Sequence, residues 1–208
     1  MSATTSSSRT STIVGIVLGA LILVSMVLFS VVLPDATGAE DSDEVKLSLP
    51  DTLPGGYAAA DLAASFEDSE LADQADLIAE QQAAATAYGD EVLPKALDTE
   101  AVTRSYVING TEPVFVQVFH AEGGAFSPTS LTDPQTTGGA GGVTMSKIGD
   151  GACIITTAQL QPGQEGAQTS SECQVSRGDI TVQVSSHQVS AEDLVKLADA
   201  VFEVAVQS

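Results

Sequence analysis

The longest hydrophobic run of the chain covers residues 13–33, where 21 consecutive residues are uncharged and mostly aliphatic. A helix of this length is about 30 Å long, which matches the thickness of the hydrocarbon core of a bilayer. Because such a helix is apolar on every side, the run predicts a transmembrane helix. Arg9 precedes the run and the next basic residue is Lys46. We therefore expect a cell-membrane protein with a single span, a cytoplasmic tail at residues 1–12 and its bulk outside the cytoplasm.

A cleaved secretory signal is the alternative interpretation of the same segment. Its apolar core has about 7–15 residues and is followed by a small-residue cleavage site, for which Thr37-Gly38-Ala39 would serve. The run at 13–33 is longer than such a core, so the sequence favours a retained anchor. Residues 34–44 are acidic and have no apolar periodicity, which predicts a tether that leads into a domain at residues 45–208.

The first part of this domain, residues 57–98, is rich in Ala and acids and is expected to be helical. Asp68 or Ser69 is a suitable N-cap for a helix that runs to about Tyr88. Its apolar face would consist of Leu71, Ala75, Ile78 and Ala79. Since Ala side chains bury little area, the sequence leaves open whether this helix belongs to the core or is a spacer.

The second part, residues 101–187, alternates apolar and polar positions as β-strands do. Asn109-Gly110 is a strong signal for a two-residue hairpin turn, which would place Ser105 opposite Val114. Phe115 lies on the face opposite to Val114, so we expect this strand to be covered on both sides. The predicted strands are residues 101–108, 113–120, 143–148, 152–157, 171–176 and 180–187.

The last predicted element is a helix at residues 190–206. Ser190, with Asp193 three residues later, resembles a capping box. Apolar residues then recur at helical spacing, and we expect this stripe to pack on the sheet face that carries Val182 and Val184. The sequence thus predicts an α+β fold with an N-terminal transmembrane helix, an Ala-rich helical segment and a mostly antiparallel sheet packed by a C-terminal helix.

Cys153 and Cys173 are the only cysteines, and both fall on predicted strands. Outside the cytoplasm an even number of cysteines favours a disulfide, so we predict that these two are bonded. Closing a loop of this length stabilises a fold by about 3 kcal/mol in the chain-entropy model. The alternative is two buried thiols that are too far apart to bond.

Charge restricts the partners of the domain. From residue 35 onward the chain has 28 acidic residues and 6 Lys or Arg, which gives a net charge of −22. Nucleic acid and anionic lipid surfaces are poor partners for such a domain because they would be repelled. The expected partners are the membrane, through residues 13–33, and a protein of the cell envelope.

Motifs for chemistry are scarce. The two histidines, His120 and His187, are interpreted as a satisfied strand residue and a solvated residue. The Gly-rich segment that ends at Gly142 continues with Val143, where a phosphate-binding loop requires Lys. The sequence assigns no catalytic residue, no cofactor and no metal ligand, although the members of a Ser–His–acid triad would be distant in the chain.

Residues 178–201, GDITVQVSSHQVSAEDLVKLADAV, resemble the strand–turn–helix ending of small extracytoplasmic domains in bacterial membrane-anchored proteins and lipoproteins, many of them actinobacterial. The resemblance implies a small α+β domain outside the membrane. It brings no catalytic residue with it.

Three functions are compatible with these features. The first is non-catalytic binding of an envelope protein or a small ligand, the second an envelope enzyme of the hydrolase kind, and the third a sensor that signals through the span. An apolar cavity between the sheet and the C-terminal helix would favour ligand binding. A concave site that joins His120 to carboxylates would favour an enzyme, and a flat acidic surface would favour protein binding.

Overall fold

The computed structural model describes residues 46–138, 141–158 and 168–207. The predicted cytoplasmic tail, transmembrane helix and tether at 1–12, 13–33 and 34–44 lie outside these residues. None of the helices in the described ranges combines the length and hydrophobicity that crossing a bilayer requires. The membrane span therefore stays a prediction.

The described residues form an α+β fold built on an antiparallel sheet of eight strands in the order β2-β3-β4-β5-β9-β8-β7-β6. A separate antiparallel pair, β1 and β10, joins the first and last described strands. The strands are β1 (Lys46–Leu47), β2 (Thr52–Leu53), β3 (Tyr57–Ala59), β4 (Ala101–Ile108), β5 (Glu112–His120), β6 (Gly142–Ile148), β7 (Gly151–Thr157), β8 (Thr169–Arg177), β9 (Ile180–Ser186) and β10 (Val206–Gln207). The α-helices are α1 (Ala75–Leu97), α2 (Pro134–Thr137) and α3 (Ala191–Ala205), and two 3-10 turns cover Ala63–Phe66 and Ala72–Gln74.

Helix α3 packs on one face of this sheet, as predicted. Ser190 caps its start by accepting a hydrogen bond from the backbone N–H of Asp193. The apolar stripe of α3 then joins the strand residues in one buried cluster. This cluster includes Leu194, Leu197, Ala198 and Val201 of the helix and Val114, Val116, Val118, Val175, Val182 and Val184 of the strands. We call this side of the sheet the α3 face.

Cys153 and Cys173 lie directly opposite each other on β7 and β8. Their sulfur atoms are 2.10 Å apart, and both residues are fully buried on the α3 face. The predicted cysteine pair is thereby confirmed.

The opposite side of the sheet carries helix α1, which packs mainly against β4. We call this side the groove face. Ala75 is buried there in a second, smaller cluster with Ala60, Phe66 and Val107. Ala79 is also buried. The Ala-rich segment is thus packed on the sheet rather than set apart from it.

The expected start of this helix at Asp68 or Ser69 is wrong. Two 3-10 turns come first, and the hydroxyl of Ser69 donates to the carbonyl of Phe66 while it accepts from the N–H of Leu71. Ser69 therefore stabilises the turn before the helix. The helix also runs beyond Tyr88 to Leu97, and ends at Asp98 in the left-handed region.

The register of the β4–β5 hairpin also differs from the prediction. Ile108 pairs with Glu112, which leaves a turn of three residues, Asn109 to Thr111, instead of two. Ser105 consequently faces Phe115, and Tyr106 faces Val114. The shift by one residue keeps the large ring of Tyr106 in the core, where it is 0% exposed.

The segment that connects β1 to the first 3-10 turn is tied to the sheet through Arg104. Its guanidinium donates two hydrogen bonds to Asp61, at 2.9 and 2.8 Å, and one to the carbonyl of Leu49. A further ion pair reaches Asp51 at 2.9 Å. Such bidentate pairs are geometrically specific, so they fix the position of the segment.

Candidate functional site

The groove face contains a cavity of about 480 Å³ between helix α1 and the sheet. Its floor is one row of cross-strand neighbours that runs from β4 to β7. The row consists of Ser105, Phe115, Ser185, Glu172 and Ile154, which all line the cavity. Strands lie about 4.8 Å apart, so the floor is roughly 19 Å long. We call this cavity the groove.

The wall of the groove comes from α1 and the 3-10 turns before it. Phe66 and Leu71 contribute from the turns, and Ile78 and Gln82 contribute from the helix. Phe66 is buried, whereas Leu71 and Ile78 are half-buried and pack against its cluster. The wall is therefore apolar at its base and gains a polar amide at Gln82.

The groove exists because α1 lies over β4 and leaves the following strands uncovered. Gly89 allows the close approach, since a Cβ atom there would lie 2.3 Å from Cγ2 of Thr103 on β4. One position later, Asp90 accepts a hydrogen bond of 2.8 Å from the N–H of Thr103. These contacts hold the helix at the β4 side of the face.

The opposite end of the groove face is closed by the start of the β5–β6 connection. Ala121 accepts a hydrogen bond from the hydroxyl of Thr181, and Gly124 accepts one from the amide of Gln174. A Cβ atom on Gly123 would lie 2.4 Å from Oγ of Ser176, so the connection lies close to the strands. Within the described residues, the end of the face near the β4–β5 turn is left uncovered and forms the groove.

The groove is apolar with few charged groups. Phe115 exposes 40% of its surface on the floor, although a Phe in a strand is normally covered. Glu172 is the carboxylate among the lining residues, and His187 lies at the edge of the cavity. Concave, mostly apolar sites with a few polar groups are the usual form of small-molecule sites.

The serines and the histidine that line the groove bear on the hydrolase alternative. Nucleophilic catalysis requires a base within hydrogen-bonding distance of the nucleophile. Within the described part of the chain, no hydrogen bond joins His187 to a serine hydroxyl or to Glu172. Ser105 and Ser185 on the floor therefore stand without an activating base.

His120, the other histidine, is not part of the groove. Its Nε2 lies 2.8 Å from Oδ2 of Asp179, at the exposed β8–β9 turn. This hydrogen bond lowers the pKa of Asp179 below its ordinary value. The arrangement that would favour an enzyme, a concave site that joins His120 to carboxylates, is not found at this residue among the described residues.

Among the described residues, no metal centre competes with the groove, and a second depression already holds an ion pair. In residues 46–138, 141–158 and 168–207, no three His, Cys, Asp or Glu side chains are grouped so that they could hold a metal ion. A depression of about 630 Å³ near the start of α3 is lined by Tyr57, Glu112, Asp193 and Lys196. Asp193 and Lys196 already pair with each other there at 2.8 Å. Burial raises the pKa of Tyr57, and Asp193 and Glu112 raise it further, so its hydroxyl stays neutral.

The sequence did not predict the groove. A cavity between the sheet and the C-terminal helix would have favoured ligand binding, but among the described residues the buried cluster occupies that face. The usable signal was the pattern of β5, where Phe115 alternates with Val114 and Val116, together with the small residues of α1. A strand with large apolar residues on both faces, beside a helix of Ala residues, leaves surface that the helix does not cover.

Comparison of this chain with protein-family models, with curated proteins and with solved structures finds no match.

Proposed function

We propose that this protein is a single-pass membrane-anchored binding protein whose extracytoplasmic domain holds the apolar part of a small ligand in the groove. The observation that carries the proposal is the floor of the groove, where Phe115 is exposed and Ile154 is half-buried. Placing an apolar ligand on this surface would remove it from water, at roughly 25 cal/mol per Å². The cellular location is the part that depends on the predicted span at residues 13–33.

Binding is favoured over catalysis by the absence of an activated nucleophile among the described residues that line the groove. It is favoured over a flat protein interface by the concave shape, since a cavity of about 480 Å³ falls in the size range of small-molecule pockets.

The test is binding of Nile red, an uncharged apolar dye, to the domain with and without a blocked groove. Ser185→Trp places an indole on the floor and is expected to weaken binding by roughly tenfold or more. Ser146→Trp adds the same ring on an exposed position of β6 outside the groove and should bind as wild type. Ile154→Trp repeats the block from another strand in case Ser185→Trp unfolds, and urea unfolding reports on folding.

Unchanged dye binding in both floor variants, or no dye binding to the wild type, contradicts the ligand-binding function. The location is tested separately with a tag after Ser208 in whole cells. The tag should be removed by added protease, and the protein should stay with the membrane after carbonate extraction. Recovery in the soluble cytosol contradicts the anchored location and leaves the groove itself intact.

A further inference from the structure

We propose that the groove selects amphiphiles that carry a positive charge, with an ammonium group at Glu172 and the apolar body against Phe115 or Ile154. This inference rests on the proposed ligand-binding function and names the chemical class of the ligand. It depends on the position of one carboxylate and on the charge of the surface around it.

Glu172 is the fourth of the five residues that form the floor. It faces Ser185 of β9 on one side and Ile154 of β7 on the other. Its side chain is exposed to the groove and makes no hydrogen bond or ion pair with any residue that the structure describes. Other carboxylates of the domain, such as Asp61 and Asp199, are held by arginines. Glu172 is therefore free of described partners and can pair with a ligand.

The segment that carries the wall residues is acidic, although its acids do not line the groove. Residues 67–80, which carry the wall residues Leu71 and Ile78, contain six acids and no Lys or Arg. The lining residues include no Lys or Arg either, within the described ranges. Four basic side chains of the domain are already paired with carboxylates elsewhere, namely Lys95, Arg104, Arg177 and Lys196.

These charges favour a cation and oppose an anion at the same place. A carboxylate and an ammonium in contact near a protein surface attract each other, while two carboxylates repel. Phe115 lies two strands from Glu172, a distance of roughly 10 Å along the floor. A ligand with its charge at Glu172 therefore reaches the exposed ring of Phe115 with its apolar body.

The experiment compares three ligands with the same alkyl chain: octylammonium, 1-octanol and octanoate. Each displaces Nile red from the domain at neutral pH and low salt, and the dissociation constants follow from the displacement curves. We expect octylammonium to bind roughly fivefold more tightly than octanol, and octanoate to bind more weakly than octanol. The preference should shrink in 1 M salt, where the Debye length is about 3 Å.

Glu172→Gln keeps the shape of the side chain and removes its charge. In this variant octylammonium should bind only about as well as octanol, while octanol itself should bind as it does to the wild type. Glu203→Gln, which removes the same charge from an exposed position on α3, is the matched control and should keep most of the preference.

Equal binding of octylammonium and octanol to the wild type overturns the inference, as does a preference that survives in Glu172→Gln. Failure of all three ligands to displace the dye, or no dye binding, contradicts the ligand-binding function instead. The two failures are therefore distinguishable in one set of measurements.

Discussion

The two faces of the eight-stranded sheet are covered by helices of different composition. On the α3 face, seven residues of helix α3 are buried: Ala191, Leu194, Val195, Leu197, Ala198, Val201 and Ala205. On the groove face, the longer helix α1 buries only Ala75 and Ala79. The same strands supply both faces, so the difference comes from the helices.

Because of this difference, the α3 face holds the packed core of the fold, whereas the other face keeps the groove that we propose as a binding site. Branched side chains of α3 fill the space above the strands, and the result is a close-packed core. Small side chains let α1 lie close to β4, but they do not extend over β5, β9, β8 and β7. The groove is thus a consequence of the alanines of α1, and we expect substitutions on the two faces to have unequal effects on stability.

The largest effect is expected from truncating the core of the α3 face. Leu194 is 0% exposed, so Leu194→Ala should lower the free energy of unfolding by about 4 kcal/mol through lost burial and an unfilled cavity. Ile78→Ala in the wall of the groove should lower it by only about 1 kcal/mol, since Ile78 is half-buried. Urea unfolding monitored by circular dichroism measures both values. Equal losses in the two variants would show that the groove wall is as closely packed as the core.

The disulfide on the α3 face should have the next largest effect. Replacing both Cys153 and Cys173 with Ala removes a bond across a sequence separation of 20 residues, which stabilises the fold by about 3 kcal/mol. The melting temperature should fall accordingly, and reductant should lower the melting temperature of the wild type in the same direction. The double variant should be insensitive to reductant. A wild type that melts identically with and without reductant is the contrary result.

Removing the cap of α3 should have a smaller effect on the same face. Ser190→Ala deletes the oxygen that accepts from the N–H of Asp193 at 3.2 Å, and should lower the free energy of unfolding by about 1 kcal/mol. Ser190→Asp, which keeps an acceptor, serves as the control and should lie close to the wild type in urea unfolding. A loss as large in Ser190→Asp as in Ser190→Ala would assign the effect to something other than capping.

The elements that could be predicted from the sequence are those whose signals are local. The α3 cap is carried by Ser190 and Asp193, and the stripe of α3 repeats at helical spacing, so both are confirmed. Strand β4 was predicted at its observed bounds, Ala101–Ile108, because its alternation ends at Asn109-Gly110. The cysteine pair could be predicted because the number of cysteines is even and both lie on predicted strands.

The features that the sequence did not predict depend on contacts across the chain. The turn takes Thr111 as a third residue because that register buries Tyr106, whose hydroxyl donates to the carbonyl of Pro50, 56 positions earlier. Ser69 does not cap helix α1 because its hydroxyl donates to the carbonyl of Phe66 within the preceding turn. The groove depends on the position of α1 over β4. The close approach of Gly89 to Thr103 keeps the helix at that side of the face.

The smallest effect is expected at the exposed end of the α3 face, where Asp179 bonds to His120. The hydrogen bond from His120 lowers the pKa of Asp179, so its contribution to stability is present above the ordinary Asp pKa of about 3.9. That contribution is lost as the pH falls through the lowered pKa, because the carboxyl then binds a proton.

His120→Phe removes the donor and should return the pKa of Asp179 toward its ordinary value, as followed by the carboxyl carbon shift in an NMR titration. His187→Phe, in the groove, is the control and should leave Asp179 unchanged. The stability difference between the wild type and His120→Phe should narrow with acidification, and a difference that stays constant down to pH 2 would mean that the hydrogen bond to the ionised carboxylate is not its cause.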